Sequence, residues 1–277
     1  MQENSQERKG DVGMLEIKNI YKTFHPGTIN EKHALNGASL TLQDGDFCTI
    51  IGGNGAGKST LLNAIAGVWP IDSGSIFING TDVTGLAEHK RAAYLGRVFQ
   101  DPMTGTAATM EIQENLALAS RRGKKRGLRW GITRQERQNY HELLKQLDLG
   151  LEDRMTSKVG LLSGGQRQAL TLVMATMQKP KLLLLDEHTA ALDPKTAAKV
   201  LALSDQIIEE NHLTALMVTH NMKDAITHGN RLIMMNEGKI ILDISGEEKK
   251  RLTVNDLLHQ FEEVSGEAFV SDKALLG

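Results

Sequence analysis

The chain has 277 residues, of which 40% are hydrophobic and 24% are charged, and its formal net charge is −2 at pH 7. These fractions are ordinary for a globular protein with a substantial core, and the charge gives no sign of a nucleic-acid partner. Cys48 is the only cysteine, which excludes an internal disulfide and a cysteine-based zinc site and suits a reducing cytosol. No apolar run reaches the roughly 20 residues that a membrane-spanning helix needs.

The first part of the chain predicts an arm followed by an antiparallel sheet. Residues 1–13 are polar and lack the apolar core of a secretory signal, so we expect a flexible N-terminal arm. Alternating and β-rich stretches between residues 15 and 46 predict strands, and GSIFING at 74–80 predicts another. We expect these segments to form a small antiparallel sheet beside the strand at 47–51.

A strand, a glycine loop and a helix follow one another from residue 47 to residue 67. Phe47–Ile51 is apolar and predicts a buried parallel strand, and STLLNAIAG shows helical periodicity up to Gly67. Between them the spacing GxxxxGK[ST] is that of a P-loop, whose glycines leave no Cβ to block a phosphate. We expect Lys58 to reach the β- and γ-phosphates and Ser59 to bind Mg²⁺. The loop residues assigned to the nucleotide are Gly52, Gly53, Asn54, Gly55, Ala56, Gly57, Lys58, Ser59 and Thr60.

The alternative interpretation of this loop is a glycine turn that only tightens the connection between strand and helix. A strand before the loop and a helix after it are the context that a P-loop requires, so they favour the phosphate site.

The rest of the chain predicts a parallel α/β core interrupted by helices. Segments 97–100, 182–186, 214–220 and 231–236 predict further strands, with helical patterns between several of them. From about residue 101 to 161 strand patterns are missing and two helices are predicted, the second opened by a capping box of Thr133 and Glu136. We therefore expect an inserted helical subdomain at about 101–161. A hairpin after residue 236 and an amphipathic helix from Thr253 complete the chain, within a C-terminal extension at 246–277.

Positive charge is concentrated in residues 121–137, which hold eight Lys or Arg residues against one acid, Glu136. A solvated loop explains this concentration. The alternative is a contact with an acidic partner surface or with anionic lipid headgroups.

Two further motifs carry chemical groups. LLLLDE ends a buried strand in Asp186 and Glu187, at the edge where ligands bind in open α/β sheets. Asp186 fits the Mg²⁺-side acid of a P-loop enzyme, and Glu187 is placed to accept a proton from an attacking water. LSGGQ places Ser163 at the N-cap of an apolar helix, which makes a second anion site. Two phosphate sites for one ATP are reconciled if the second site of each copy covers the ATP held by the other.

The motifs GGNGAGKST, Gln100, LSGGQ, LLLLDE, ALD at 191–193 and His220 stand in that order. In this order they resemble the ATP-binding cassette family, the nucleotide-binding subunits of ABC transporters, over about residues 15–243. The resemblance implies an α/β fold, a RecA-like P-loop core with an antiparallel β subdomain and the inserted helical subdomain, in a cassette domain at 14–245.

The resemblance also implies residue roles. Phe24 resembles the aromatic that stacks on adenine, with Tyr21 as the weaker candidate and a buried core aromatic as the alternative for Phe24. Gln100 resembles the glutamine that senses Mg²⁺ and the attacking water while touching the membrane subunit. His220 resembles the histidine that contacts the γ-phosphate and holds Glu187 in place. The resulting catalytic set is Glu187, His220, Gln100 and Lys58; the metal set is Ser59, Gln100 and Asp186; and the second nucleotide-binding set is Ser163, Gly164, Gly165, Gln166 and Asp193.

Asp193 resembles the aspartate that couples the two sites of a dimer, and it is also placed to cap the helix that starts at Pro194.

Two departures from the family pattern stand out. Gly53 replaces a common proline or serine, and His188 stands where many relatives have Pro, Ala or Ser. Neither departure removes a reacting group. EHTAALDP and VFQDPMTGTA are similar to a subgroup of bacterial importer ATPases.

The resemblance implies a homodimer, or a pseudo-symmetric pair, that closes head to tail on two MgATP. It also implies integral membrane permease subunits, an extracytoplasmic solute-binding protein, no nucleic acid, and a place at the cytoplasmic face of the cell membrane. Import of a small solute such as an amino acid is the interpretation that we carry forward. The alternatives are an exporter ATPase, an ABC protein of translation or DNA repair, and a regulatory module that binds ATP without turnover.

Overall fold

The computed structural model describes residues 13–124 and 131–265, and the side chains up to residue 263. The predicted N-terminal arm, apart from Gly13, lies outside the described residues. So do residues 125–130 of the basic segment and residues 266–277 of the C-terminal extension.

The described strands form two sheets. A four-stranded antiparallel sheet has the order β2-β1-β4-β5, and a six-stranded sheet has the order β10-β9-β3-β8-β7-β6. The strands are β1 (Leu15–Phe24), β2 (Lys32–Leu42), β3 (Phe47–Ile51), β4 (Ser73–Ile78), β5 (Thr81–Asp82), β6 (Leu95–Val98), β7 (Leu182–Asp186), β8 (Thr214–Val218), β9 (Arg231–Asn236) and β10 (Lys239–Ser245).

The larger sheet is parallel except at its β10 edge, where β9 and β10 form the predicted hairpin. Every residue of β3 and β8 is buried, as expected of parallel strands covered on both faces. Since β3, β6, β7 and β8 run in the same direction, their carboxyl ends meet at one edge of the sheet. That edge receives the glycine loop, the segment after β6, and the residues that follow β7 and β8.

Helices cover both faces of this sheet. Along each strand alternate side chains point to opposite faces, so Cys48 and Ile50 pack with α1 and the antiparallel sheet, whereas Leu183 and Leu185 pack with α5 and α6. The helices are α1 (Lys58–Ala66), α2 (Glu88–Arg91), α3 (Ile112–Ser120), α4 (Arg134–Lys145), α5 (Gly164–Thr176), α6 (Pro194–Glu210), α7 (Met222–Thr227), α8 (Gly246–Arg251) and α9 (Val254–Ser265).

The helical subdomain has a core of its own. Buried residues of α3 and α4 pack with Ala169, Leu170 and Val173 of α5. The predicted capping box is present at α4, where Thr133 Oγ1 accepts from the amide of Glu136 and the Glu136 carboxylate accepts from the amide of Thr133. The subdomain therefore holds the start of α5 against the sheet.

The C-terminal extension packs on the sheet. Leu257 and Phe261 of α9 are buried against Ile51, Met222 and Met234. Within the described residues, no helix is both long and apolar enough to cross a membrane.

Two predicted strand boundaries were wrong. The strand predicted at 97–100 spans Leu95–Val98, and the strand predicted at 214–220 ends at Val218. In both cases the last two predicted residues lie beyond the strand. Gln100 and His220 therefore belong to the connecting segments at the carboxyl edge of the sheet.

Candidate functional site

The glycine loop is fixed by close contacts with both sheets. Gly52, Gly55 and Gly57 have φ angles of 150°, 80° and 101°, in the region that favours glycine. A Cβ on Gly52 would lie 2.2 Å from the carbonyl oxygen of Met235, and a Cβ on Gly57 would lie 2.5 Å from that of Ala34. These two glycines are therefore required by space as well as by backbone conformation.

Gly53 does not share this conformation, since its φ lies outside the left-handed region. Backbone conformation alone therefore does not require glycine at this position, in line with the proline or serine that the family pattern has there.

Lys58 opens α1 from a buried position. It is 5% exposed, and its Nζ donates to the carbonyl oxygens of Gly52 at 2.8 Å and Gly53 at 3.1 Å. No side chain among the described residues caps the start of α1, so its first amides point into the loop. A Cβ built on Gly55 would meet only Lys32 Nζ, at 3.3 Å, so the loop is open beside a second cation. Amides, a helix N-terminus and a lysine together form an anion site.

The N-terminus of α5 is capped by side chains of its own first turn. Ser163 Oγ accepts from the Gln166 amide at 3.3 Å, and Gln166 Oε1 accepts from the Ser163 amide at 3.2 Å. Ser163 is thus the predicted N-cap, and Gln166 completes a capping box with it. A Cβ on Gly165 would lie 2.1 Å from Thr196 Cγ2, so this glycine lets α5 approach the first turn of α6. Gly164 is less constrained, because its Cβ would lie 3.2 Å from the end of the Leu192 side chain.

The two carboxylates lie where the sequence places them, after the buried part of β7. Glu187 has a φ of 46°, which is uncommon for a residue with a side chain, and its amide donates to the carbonyl oxygen of Val218 at 3.1 Å. The strained backbone thus turns Glu187 away from the strand direction and toward β8. Burial raises the pKa of Asp186, while the Arg97 guanidinium at 3.1 Å opposes this rise.

His220 meets Glu187 across the ends of neighbouring strands. Its Nε2 lies 2.6 Å from Glu187 Oε1. The Glu187 side chain is 10% exposed and the His220 side chain 37%, so the pair faces solvent through the imidazole. The structure therefore brings together two residues that are 33 positions apart and that the sequence analysis paired.

The remaining predicted residues take different positions. Asp193 caps α6, with its Oδ1 accepting from the Thr196 amide at 3.1 Å. Gln100 is exposed, two residues beyond β6. Phe24 is half-buried at the end of β1 and packs edge to face on Trp69, with ring centroids 5.0 Å apart. It is thus not a core aromatic. Tyr21 is 43% exposed and lies further back along β1.

The sequence analysis missed Arg97. Its Nη2 donates to Asp186 Oδ2 at 3.1 Å and to Asn63 Oδ1 at 2.8 Å. The sequence carried a signal, because an arginine within an otherwise apolar strand needs a partner when its side chain is withdrawn from water.

Gln168 and the surroundings of His188 were also missed. Gln168, which is fully buried in α5, donates to the carbonyl oxygen of Phe99 at 3.1 Å and so fixes the segment that leads to Gln100. His188 Nε2 lies 3.0 Å from Ser204 Oγ of α6, and burial lowers the pKa of His188 to about 4. The residue after Glu187 is therefore a neutral, buried anchor to α6.

The oxygen donors at this edge suit Mg²⁺. Mg²⁺ prefers one or two carboxylates together with hydroxyl, water and phosphate oxygens over an all-protein cage. Asp186 and Ser59 supply a carboxylate and a hydroxyl beside the phosphate loop. Within the described part of the chain, no group of three or more His, Cys, Asp and Glu residues is placed to hold a metal by itself.

The fold and this edge define a class of protein. A P-loop between β3 and α1, a carboxylate pair after β7 and a second capped glycine helix beside α6 define a P-loop nucleoside triphosphatase of the cassette type.

Comparison with known proteins places the chain within this class. The ABC transporter family model matches residues 35–190. The tyrosine transport ATP-binding protein of Clostridioides difficile is 47% identical over 250 residues, which are 90% of this chain and 99% of that protein. The methionine import ATP-binding protein MetN of Rhizobium johnstonii is 38% identical over 212 residues, which are 75% of this chain and 56% of that protein.

A solved structure agrees with this placement. The ATP-binding cassette MJ0796, solved as a dimer bound to ADP and phosphate, is 30% identical with a TM-score of 0.71, covering 84% of this chain and 98% of that one. The chain belongs to the ABC transporter family. It is an ATP-binding subunit and hydrolyses ATP to power transport.

Proposed function

We propose that two copies of this chain close head to tail over two MgATP and thereby drive the import of a small solute, such as an amino acid, by partner membrane subunits. The contact of 2.6 Å between His220 and Glu187, at the same sheet edge as the P-loop, is the observation that carries this proposal. It joins a base and its orienting partner beside a phosphate site.

One copy holds each nucleotide through its P-loop and its first strand. Residues 52–60 surround the phosphates, with Lys58 exchanging the carbonyl oxygens of Gly52 and Gly53 for phosphate oxygens. Phe24 lies at the strand end where a half-buried ring is free to stack on adenine. Ser59, Asp186 and Gln100 would hold Mg²⁺, which would neutralise phosphate charge when bound.

The other copy completes each site. Its Ser163, Gly164, Gly165 and Gln166 bring a helix N-terminus to the γ-phosphate, and its Asp193 lies beside them on α6. The dimer of MJ0796 bound to ADP and phosphate supports this assembly.

Within a closed site Glu187 accepts the proton of the attacking water, and His220 keeps the carboxylate in position. The bond from the Glu187 amide to Val218 fixes the backbone from which this carboxylate extends. A correctly placed general base contributes about 10²- to 10⁴-fold in rate.

Permease subunits and an extracytoplasmic solute-binding protein complete the transporter, with this chain at the cytoplasmic face of the cell membrane. Support for an amino acid as the solute comes from the tyrosine and methionine relatives.

The variant Glu187→Gln tests the catalytic assignment. We expect it to bind ATP normally, to lose about 10²- to 10⁴-fold in hydrolysis, and to accumulate as a dimer in ATP and Mg²⁺, measured by phosphate release and light scattering. Glu209→Gln, an exposed change on α6, is the matched control and should behave as wild type. Normal turnover in Glu187→Gln would refute the assigned base.

A transport experiment tests the solute and the direction. Purification of the tagged chain from native membranes should retain its permease. Cells that carry the wild-type chain should take up labelled tyrosine or another amino acid, and cells that carry Glu187→Gln should not. Uptake that is identical in cells carrying Glu187→Gln, or labelled solute leaving the cells instead, would reject amino-acid import.

A further inference from the structure

Arg97 is a charged residue in the inner layer of the molecule. It lies in β6 between the buried residues Gly96 and Val98, and its side chain is 13% exposed. Withdrawing a guanidinium from water is costly unless hydrogen bonds and an opposite charge replace the solvent. The partners of Arg97 therefore indicate what the residue does.

These partners belong to the nucleotide site. One guanidinium nitrogen, Nη2, donates both to Asp186 Oδ2 at 3.1 Å and to Asn63 Oδ1 at 2.8 Å. Asn63 lies in α1, directly after the P-loop, and Asp186 is the carboxylate expected to hold Mg²⁺. Arg97 thus connects the P-loop helix to the metal-side acid, and it occupies one oxygen of that acid.

The other side of Arg97 faces a groove. Its guanidinium carbon lies 4.6 Å from the centroid of the Phe99 ring, and its buried Nε has no hydrogen-bond partner among the described residues. The open space beside the guanidinium is therefore on the side away from Asn63 and Asp186 that this groove provides. The groove, of about 420 Å³, is lined in part by Arg97, Phe99, Thr104, Leu118, Arg122 and Thr171.

We propose that Arg97 is a positioning residue that competes with Mg²⁺ for Asp186 and so weakens the preference of the site for MgATP over metal-free ATP. The inference rests on the proposed role of Asp186 in binding Mg²⁺. A carboxylate that accepts from a guanidinium offers less negative charge to a divalent cation, and two cations at one carboxylate repel each other. Mg²⁺ at Asp186 would therefore push the Arg97 side chain toward the groove.

The measured quantity is a ratio of two dissociation constants for a fluorescent ATP analogue. The constant in EDTA is divided by the constant in saturating MgCl₂. Because the ratio compares two bound states of the same variant, it reports the coupling between metal and protein and is independent of turnover. Both constants are measured at the same pH. In Arg97→Gln we expect the ratio to rise about tenfold, the size of one charge-assisted hydrogen bond that no longer competes for the oxygen.

Three control variants separate this effect from a general change. Arg97→Lys keeps a cation beside Asp186 and should stay near the wild-type ratio. Arg134→Gln removes an exposed arginine from α4 and should not change the ratio. In an Asp186→Asn background, Arg97→Gln should have no further effect, because the residue acts through that carboxylate. Thermal melting and binding in EDTA verify that each variant is folded.

The outcomes distinguish the inference from the function on which it rests. If Asp186→Asn lowers the ratio but Arg97→Gln leaves it unchanged or lowers it, the proposal for Arg97 is overturned while Asp186 keeps its metal role. If Asp186→Asn leaves the ratio unchanged, the assignment of Asp186 to Mg²⁺ fails, and the inference about Arg97 fails with it. If Arg97→Gln does not fold, Arg97→Met replaces it in the same measurement, and the same outcomes apply to it.

Discussion

The chain carries two glycine-rich helix N-termini, and they differ in how they are completed. The start of α1 has Gly57 in a left-handed conformation at its N-cap and a buried lysine directly after it. The start of α5 has Ser163 and Gln166 bonded to each other's backbone amides. The basic residue in its first turn, Arg167, donates to the carbonyl oxygen of Val159 instead of facing outward.

This difference indicates how the two ends share a nucleotide. The first end supplies a buried lysine and a helix N-terminus, so it is able to bind phosphate by itself. The second has a dipole and a hydroxyl, and the arginine of its first turn donates to a carbonyl, so it is suited to add to a site that is already formed. This division of roles is what the proposed head-to-tail dimer needs, in which the two ends are halves of one composite site.

Mixing two damaged chains is the strongest test of this comparison. Lys58→Ala damages the first half and Ser163→Ala the second, and we expect each variant alone to lose about 10²- to 10³-fold in hydrolysis, as for loss of one transition-state donor. In a mixed head-to-tail dimer both defects fall in one site and the other site is intact. Equal mixing should therefore restore about a quarter of the wild-type rate, measured by phosphate release. If mixing restores no hydrolysis, both halves of a site belong to the same chain and the comparison is wrong.

The same two substitutions should separate binding from turnover. Lys58→Ala should weaken ATP binding to the monomer about 10- to 100-fold, since a charged hydrogen bond to phosphate is lost. Ser163→Ala should leave monomer binding unchanged. Equilibrium titration with a fluorescent nucleotide checks this, with Lys58→Arg as the charge-preserving control. Equal losses in both variants would contradict the division of roles.

The packing of the second half can be tested with neighbouring glycines. A Cβ at Gly165 meets Thr196 at 2.1 Å, so Gly165→Ala should cost about 1–3 kcal/mol and lower the melting temperature by several degrees. Gly164→Ala, whose Cβ meets a flexible leucine end, should cost less. Adding Thr196→Ala should rescue Gly165→Ala because it removes the clashing methyl. If rescue fails, close approach of α5 to α6 is not the reason for the glycine.

A last test concerns the buried His188, which anchors the strand end to α6 and whose effect appears only at acidic pH. Burial, with His228 nearby, lowers the pKa of His188 from 6.5 to about 4, while Asp205 opposes the shift. Below pH 6.5 the unfolded chain binds a proton that the folded chain refuses, so the unfolding free energy should fall as the pH drops. The loss should reach about 3 kcal/mol by pH 4. Urea unfolding at several pH values measures it, and His188→Gln should show a shallower slope.

Local patterns in the sequence were sufficient for much of the fold. Apolar and β-branched runs predicted β3, β7 and β9, and a serine before glycines and an apolar run predicted the N-cap of α5. The predicted strand at β6 began two residues too late, since it left out Leu95 and Gly96. In the structure this glycine lets the strand approach α5, since a Cβ there would lie 2.5 Å from the carbonyl oxygen of Ala175.

Apart from Glu187 and His220, which the family resemblance paired, contacts between distant segments were beyond prediction from the sequence. Arg97 and Asp186 are 89 positions apart, and nothing in the local sequence of either residue specifies the other. The same is true of Gly165 and Thr196, which meet only because α5 and α6 pack side by side. For the site, the motif residues could be predicted, whereas the further side chains that hold them, such as Arg97 and Gln168, required the tertiary fold.

The position of Gly57 has a practical consequence. A Cβ added to Gly57 would lie 2.5 Å from the carbonyl oxygen of Ala34 in the antiparallel sheet and 3.3 Å from the α-carbon of Gly238 at the β9–β10 turn of the larger sheet. The phosphate loop is therefore also the joint between the two layers, and a side chain added there would force the layers apart. Efforts to change which nucleotide base is accepted should leave this joint intact and alter the partly exposed end of β1 at Phe24, where we propose that adenine binds.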